Sequence, residues 1–368
     1  MPVEFIGIVH GQNTSEIHPP KGPPIDKSYV RAIAAAHETG GFDRVLIAHH
    51  SNSPDGYLTA AHVFAHTEKL GVLLAHRPGF VAPTLTARSL ATLDAYGDGR
   101  LAVHIITGGD DEEQRRDGDY LDKEARYARS GEYLDILKRI WTSETPIDHQ
   151  GEHYRFEGAF SSVRPVQQPH LPIYFGGSSE AAIRTAGRYA DVFALWGESI
   201  EGVRETIARV RAAAAQHGRA DHIRFSLSLR PILAETEAEA WTKAERILEK
   251  ARALQSGGAR PAPRTPANTG SLRLLETAAK GPVVDKRLWT EIASLGGARG
   301  NSTSLVGTPE QVTESLLDYY DLGVTTFLIR GFTPLEDAVV YGRELLPLVR
   351  SAIAERDASV PTARARAG

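Results

Sequence analysis

Residues 171 to 191, LPIYFGGSSEAAIRTAGRYAD, hold the clearest chemistry in this sequence. Leu171 to Phe175 is a short apolar run, Gly176 and Gly177 make a tight turn, and Ser178 and Ser179 open a helical pattern. Glycines let a backbone approach a ligand closely. A helix start offers unpaired N–H groups and the positive end of a dipole, which suits a phosphate. The plain alternative is a strand-to-helix turn with a serine cap. Other polar groups fall at the ends of apolar runs: His10, His49 to Ser53, His76 and Arg77, Thr107, Trp196 and Glu198, Ser228 and Arg230, and Arg330 to Phe332. The arginines among them point to an anionic substrate or cofactor.

Competing chemistries lack their parts. There is no cysteine, so thiolate nucleophiles, thiolate metal sites and disulfides are excluded. His49 and His50 are adjacent and on a strand would face opposite sides, and Glu198 is the one acidic residue at a run's end, so a metal site is poorly supplied. No GxSxG nucleophile elbow and no GxGxxG after the first run are present. A formal net charge of −4 gives no pull toward nucleic acid. No apolar stretch reaches the roughly 18 residues of a membrane span. The N-terminal MPVEFIGIVHG lacks the layout of a signal peptide, and the expected location is cytoplasmic.

Something must bring these run ends together. Eight apolar runs, Glu4–Val9, Arg44–His49, Gly71–Ala75, Leu101–Thr107, Leu171–Phe175, Asp191–Trp196, Ile223–Leu233 and Thr325–Ile329, alternate with amphipathic stretches. The runs lack polar alternation, as parallel strands buried on both faces do. Eight such units predict a (β/α)8 TIM barrel, whose active site is built at the C-terminal strand ends. Residues 1–354 are read as one barrel domain. Residues 142–170 form a small insertion with a strand-like Glu152–Phe156. Residues 255–303, rich in Gly, Pro, Ser and Arg, are expected to be a mobile lid after strand 7. Residues 355–368 are expected to be a disordered tail. The acidic run Asp110–Glu113 reads as a solvated helix start.

From Phe5 to about Ala354 the chain resembles the bacterial luciferase-like flavin-dependent monooxygenases, and within them the alkanesulfonate monooxygenase group. The segments that carry this are ATLDAYGDGRLAVHIITGGDDEEQRRDGDYLDKEARYARSGEYLDILKRIW, VQQPHLPIYFGGSSEAA, LWGE and STSLVGTPEQV. The resemblance implies a two-component system. A separate NAD(P)H-dependent flavin reductase supplies reduced FMN (FMNH2), and a peroxyflavin formed with O2 oxygenates a small organosulfur or other anionic substrate. It implies a dimer or tetramer. It assigns the FMN phosphate to Gly176, Gly177, Ser178 and Ser179, the flavin site to His10, Thr107 and Tyr127, and an active-site aromatic to Trp196. Sulfonate enzymes carry a Cys near Ser53, an Arg and a His where this chain has Ser228 and Arg230, a Tyr at Phe332 and a lid Arg near Arg299. Ser53, Arg230, Arg299 and Trp196 are thus the candidate catalytic positions, and the obvious proton donors are replaced. An F420-dependent oxidoreductase on the same barrel and a non-catalytic flavin-binding relative stand as alternatives.

Overall fold

Eight strands close into a ring: β1 (Glu4–Val9), β2 (Arg44–Ile47), β3 (Gly71–His76), β4 (Leu101–Ile105), β5 (Ile173–Gly176), β6 (Val192–Trp196), β7 (Arg224–Leu233) and β8 (Val324–Ile329). This computed structural model describes residues 3–258, 266, 268–298, 300 and 302–359. Each barrel strand pairs in parallel with the next, and β8 pairs with β1, so the ring leaves no open edge. The expected (β/α)8 barrel is therefore the fold.

The missing polar alternation has a direct cause. Ile6, Ile8, Leu73, Ala102, Tyr174, Val192 and Leu328 fill the barrel interior. Their strand neighbours, among them Phe5, Val45, Val72, Leu74, Val103 and Ile173, pack outward on the helices. Each buried aliphatic side chain stabilises by about 1.5–3 kcal/mol on either face. The helices are α1 (Lys27–Thr39), α2 (Gly56–Phe64), α3 (Pro83–Tyr96), α4 (Lys123–Thr142), α5 (Glu180–Tyr189), α6 (Ile200–Ala215) and α7 (Glu237–Ser256), then α8 (Thr269–Ala279), α9 (Pro309–Asp321), α10 (Pro334–Val340) and α11 (Leu346–Ser359). Thr236 with Glu239 and Thr308 with Gln311 form capping boxes on α7 and α9; each contributes about 1 kcal/mol. None of the described helices is long and apolar enough to cross a membrane.

Three sequence expectations are corrected. First, the hairpin in the 142–170 insertion pairs Ile147–Gln150 with Arg155–Ala159, so its second strand starts three residues after Glu152. Second, the described part of 255–303 is regular. It holds α8, the short strands Val283–Val284 and Leu288–Trp289, and the helix Glu291–Gly296. Leu274, Ala293 and Ala298 bury together there, and strand Ser304–Gly307 pairs with Arg230–Leu233 of β7. Third, α11 runs to Ser359, five residues into the expected tail. Arg356 reaches Asp321 at 2.6 Å and Tyr320 donates to Asp357 at 2.7 Å, which holds that last turn against α9.

Candidate active site

The two-residue period of each strand carries the interior rows up to the mouth. The row through Ile6 and Ile8 ends at His10, that through Ala102 at His104, that through Tyr174 at Gly176, that through Val192 and Ala194 at Trp196, and that through Leu328 at Arg330. Ser228 and Arg230 follow in the same way on β7. One end of the barrel thus gathers the strand-end groups.

On one side lies the GGSS turn. Gly177 has φ +134°, and a Cβ there would lie 2.8 Å from the Ala182 Cβ and 2.9 Å from the Tyr127 hydroxyl oxygen. Only glycine fits. Ser179 caps α5 by accepting from the Ala182 N–H at 3.3 Å. Tyr127 is buried beside the turn, and burial raises its hydroxyl pKa. Thr107 sits beside Ser130 at 3.2 Å. Ser130 gives its one proton to the Arg126 carbonyl, so Thr107 is the donor in this contact. The first turn of α8 closes over this side. A Cβ on Gly270 would stand 2.7 Å from the Trp196 ring and 3.4 Å from the Ser178 hydroxyl, and Lys123 reaches Thr269 at 3.4 Å.

Across the mouth the groups are charged. Arg230 is 0% exposed and lies 3.6 Å above the Phe332 ring centre. Its Nη2 donates to the Gly331 carbonyl at 3.1 Å. Glu16 Oε2 lies 2.7 Å from the same nitrogen, an ion pair bent away from a straight hydrogen bond. Arg330 donates to Glu16 Oε1 at 3.1 Å. Burial would raise the Glu16 carboxyl, but the two guanidiniums hold it well below the usual carboxylate range. His10 stands beside them. Burial, helped by Arg330, lowers its pKa to about 4, so it is neutral at pH 7. Burial likewise lowers His104 to about 4.

The remaining positions divide. Ser53 is spent locally: its hydroxyl donates to the His50 carbonyl at 2.9 Å and accepts from the His50 N–H at 3.0 Å. Arg77 pairs with Glu113 at 3.2 Å and approaches Asp117 at 3.6 Å. His50 is exposed beside Glu113, and its bond holds the Glu113 carboxyl near a pKa of about 2. Asp110–Glu113 is the expected helix start, but Glu113 turns inward to these partners. His49 lies half-buried with its Nε2 unpartnered. His76 turns outward between Tyr57 at 3.0 Å and Tyr133 at 2.8 Å, and burial lowers its pKa to about 3, which keeps it neutral. Glu198, the carboxylate a metal would have needed, is instead forked by Arg273 of α8 at 2.8–3.1 Å. No group of three candidate metal ligands occurs among the described residues. Arg299 lies outside them. Glu16, His104 and Arg273 carry no signal as site residues in the sequence. Glu16 sits in the aperiodic GQNTSEIHPP, and only its proximity to Arg230 and Arg330 reveals it.

A family model described as luciferase-like monooxygenase matches residues 3–326. Among solved structures, a riboflavin lyase determined with a modified FMN and riboflavin is 20% identical, with a TM-score of 0.78 over 96% of this chain and 92% of its own. EDTA monooxygenase from Chelativorans sp. BNC1 is 20% identical, with a TM-score of 0.75 over 96% of this chain and 94% of its own. An F420-dependent secondary alcohol dehydrogenase is 15% identical, with a TM-score of 0.68 over 95% of this chain and 99% of its own.

Proposed function

Because the chain belongs to the luciferase-like monooxygenase family, we propose that it is the FMNH2-dependent oxygenase component of a two-component system acting on a small anionic substrate, organosulfur compounds of the alkanesulfonate type first among them. The observation that carries this reading is the Gly177 cradle at the N-terminus of α5, where a Cβ would strike Tyr127 and Ala182 and only bare backbone fits. A flavin phosphate fits such a seat: close backbone approach, the Ser178 hydroxyl and a helix N-terminus whose one first-turn carboxylate, Glu180, is held by Arg209.

Gly176, Gly177, Ser178 and Ser179 would hold the phosphate. Tyr127 braces the turn, and Thr107, His10 and Trp196 line the slot for the ring system. The reduced flavin supplies the electrons that activate O2. Water exclusion falls to α8 and the insertion around it, which rest on Trp196 and are latched by Arg273 to Glu198. Neutral His10 holds one proton on one ring nitrogen and can accept another. Phe332 lacks a hydroxyl, so it gives none. Arg230, Arg330 and Arg299 are assigned to the substrate's charge, and Ser53 to the loop after β2. The electron source is an NAD(P)H-dependent flavin reductase that meets the protein transiently in the cytoplasm, and the working form is a dimer or tetramer.

Titrating the purified protein with FMN, reduced FMN and F420, followed by fluorescence, tests the cofactor. Flavin binding tighter than F420 is expected, and the reverse order overturns the reading in favour of an F420 oxidoreductase. Oxygen uptake with a flavin reductase and a sulfonate panel, read by sulfite release, tests the reaction. Flavin binding without any turnover would make the protein a flavin carrier.

A further inference from the structure

We propose that the first turn of α8 sets the length of the cofactor. It ends the seat at a phosphate monoester, as in FMN, and turns away cofactors whose phosphate continues as a diester, as in FAD and F420. This deepens the oxygenase reading and rests on it for the occupant of the GGSS turn.

The turn touches four parts of the mouth. A Cβ on Gly109, in the loop after β4, would lie 3.3 Å from the Asn268 Cβ at the cap of α8. Lys123 of α4, one turn before Tyr127, donates to the Thr269 hydroxyl at 3.4 Å. Gly270 is buried, and a Cβ there would stand 2.7 and 2.9 Å from two carbons of the Trp196 ring at the end of β6. The same Cβ would lie 3.4 Å from the Ser178 hydroxyl oxygen. β4 and β6 flank β5 in the barrel, so a turn that reaches both of their ends spans the GGSS turn between them. One turn further along, Arg273 forks Glu198, and Leu274 buries with Ala293 and Ala298 against Trp196. What faces Ser178 is backbone, because Gly270 has no side chain to swing aside. A phosphate on Ser178 is therefore bounded on that side by α8. In a monoester the phosphate ends in oxygens that all accept hydrogen bonds. In a diester one of those oxygens carries on into a further chain. That chain meets the turn at a place where a single methyl group would already strike Trp196 and touch Ser178. Passing it means lifting α8 off Trp196 and straining the Arg273–Glu198 pair, which should weaken binding by about tenfold or more.

Titrations of the flavin-free protein with riboflavin, FMN and FAD, followed by fluorescence, test this. FAD contains the whole of FMN, so the step between them measures what lies beyond the phosphate. Wild type is expected to bind FMN about tenfold or more tightly than FAD, and a smaller gap overturns the proposal. A diester also carries less charge than a monoester, so length and charge must be separated. Arg273→Met together with Glu198→Gln undoes the latch on α8, leaves no buried charge unpaired and does not touch the GGSS turn. There the ratio of FMN to FAD affinity should fall at least about threefold, whereas a pure charge effect would persist. A folded double variant with a smaller fall overturns the proposal. If thermal melts show the double variant unfolded, salt decides in wild type. At about 1 M salt, where charge is screened, the ratio should stay within about twofold of its low-salt value, and a larger fall overturns the proposal. Riboflavin separates this inference from the reading beneath it. FMN well above riboflavin but equal to FAD removes only the role of α8. FMN no tighter than riboflavin removes the phosphate seat, and with it both the role of α8 and the oxygenase reading.

Discussion

The two sides of the barrel mouth offer anions different things. The GGSS side uses backbone geometry, hydroxyls and a helix N-terminus, with no formal charge on the turn itself. The opposite side uses two guanidiniums and then cancels one of them with Glu16. A neutral seat is set by chain geometry and depends little on pH or salt. A charged seat with its own counter-ion is tuned by single side chains and gives up stability when one is removed. The first suits a cofactor that every turnover shares, and the second suits a substrate that distinguishes one enzyme from its relatives.

Acid should have the largest effect, acting on the fold as a whole rather than on one side of the mouth. Burial holds His10 at about 4, His37 at about 4 and His76 at about 3, well below an unfolded imidazole. Their folded pKa values are depressed, so the unfolded chain takes up protons first. Stability present above pH 6.5 is then lost as pH falls toward 4, at about 3 kcal/mol for each of the deeply buried His37 and His76. Chemical melts at pH 7.5, 6 and 5 check this, and a flat profile would show the imidazoles to be solvated. Next in size, Arg230→Met should cost about 3 kcal/mol, since Glu16 keeps only Arg330. FMN affinity should stay within about twofold, and a larger loss would merge the two sides into one site. Gly177→Ala should cost about 2 kcal/mol through its positive φ and the Tyr127 and Ala182 contacts, and should weaken FMN rather than anion binding on the far side. The smallest effect belongs to Ser178→Ala, which should leave stability within about 0.5 kcal/mol and weaken FMN by a few-fold. Unchanged affinity there would assign the phosphate to backbone N–H groups alone.

The barrel was legible because most strands are buried on both faces, which leaves unbroken runs such as Gly71–His76. The GGSS turn was legible because glycine and a serine cap are local signals. Charge partners were not. Glu16 lies 214 residues from Arg230 in the chain, and Glu198 lies 75 from Arg273, so nothing in the spacing links them. The helix α8 was hidden by the Gly- and Pro-rich stretch before it, although Asn268 caps it by accepting from the Ser271 N–H at 2.8 Å. Arg230 reads as an open substrate contact from its strand position. Phe332 and Glu16 cover it, and only packing could reveal that.

The central claim is that the neutral side seats a flavin phosphate. FMN and riboflavin differ only in that group, so their affinities for wild type and for Gly177→Ala measure it directly. The account expects wild type to bind FMN about tenfold or more tightly than riboflavin, with the gap closing in Gly177→Ala. Equal affinities in wild type, or a gap that survives Gly177→Ala and vanishes in Arg230→Met, would contradict it.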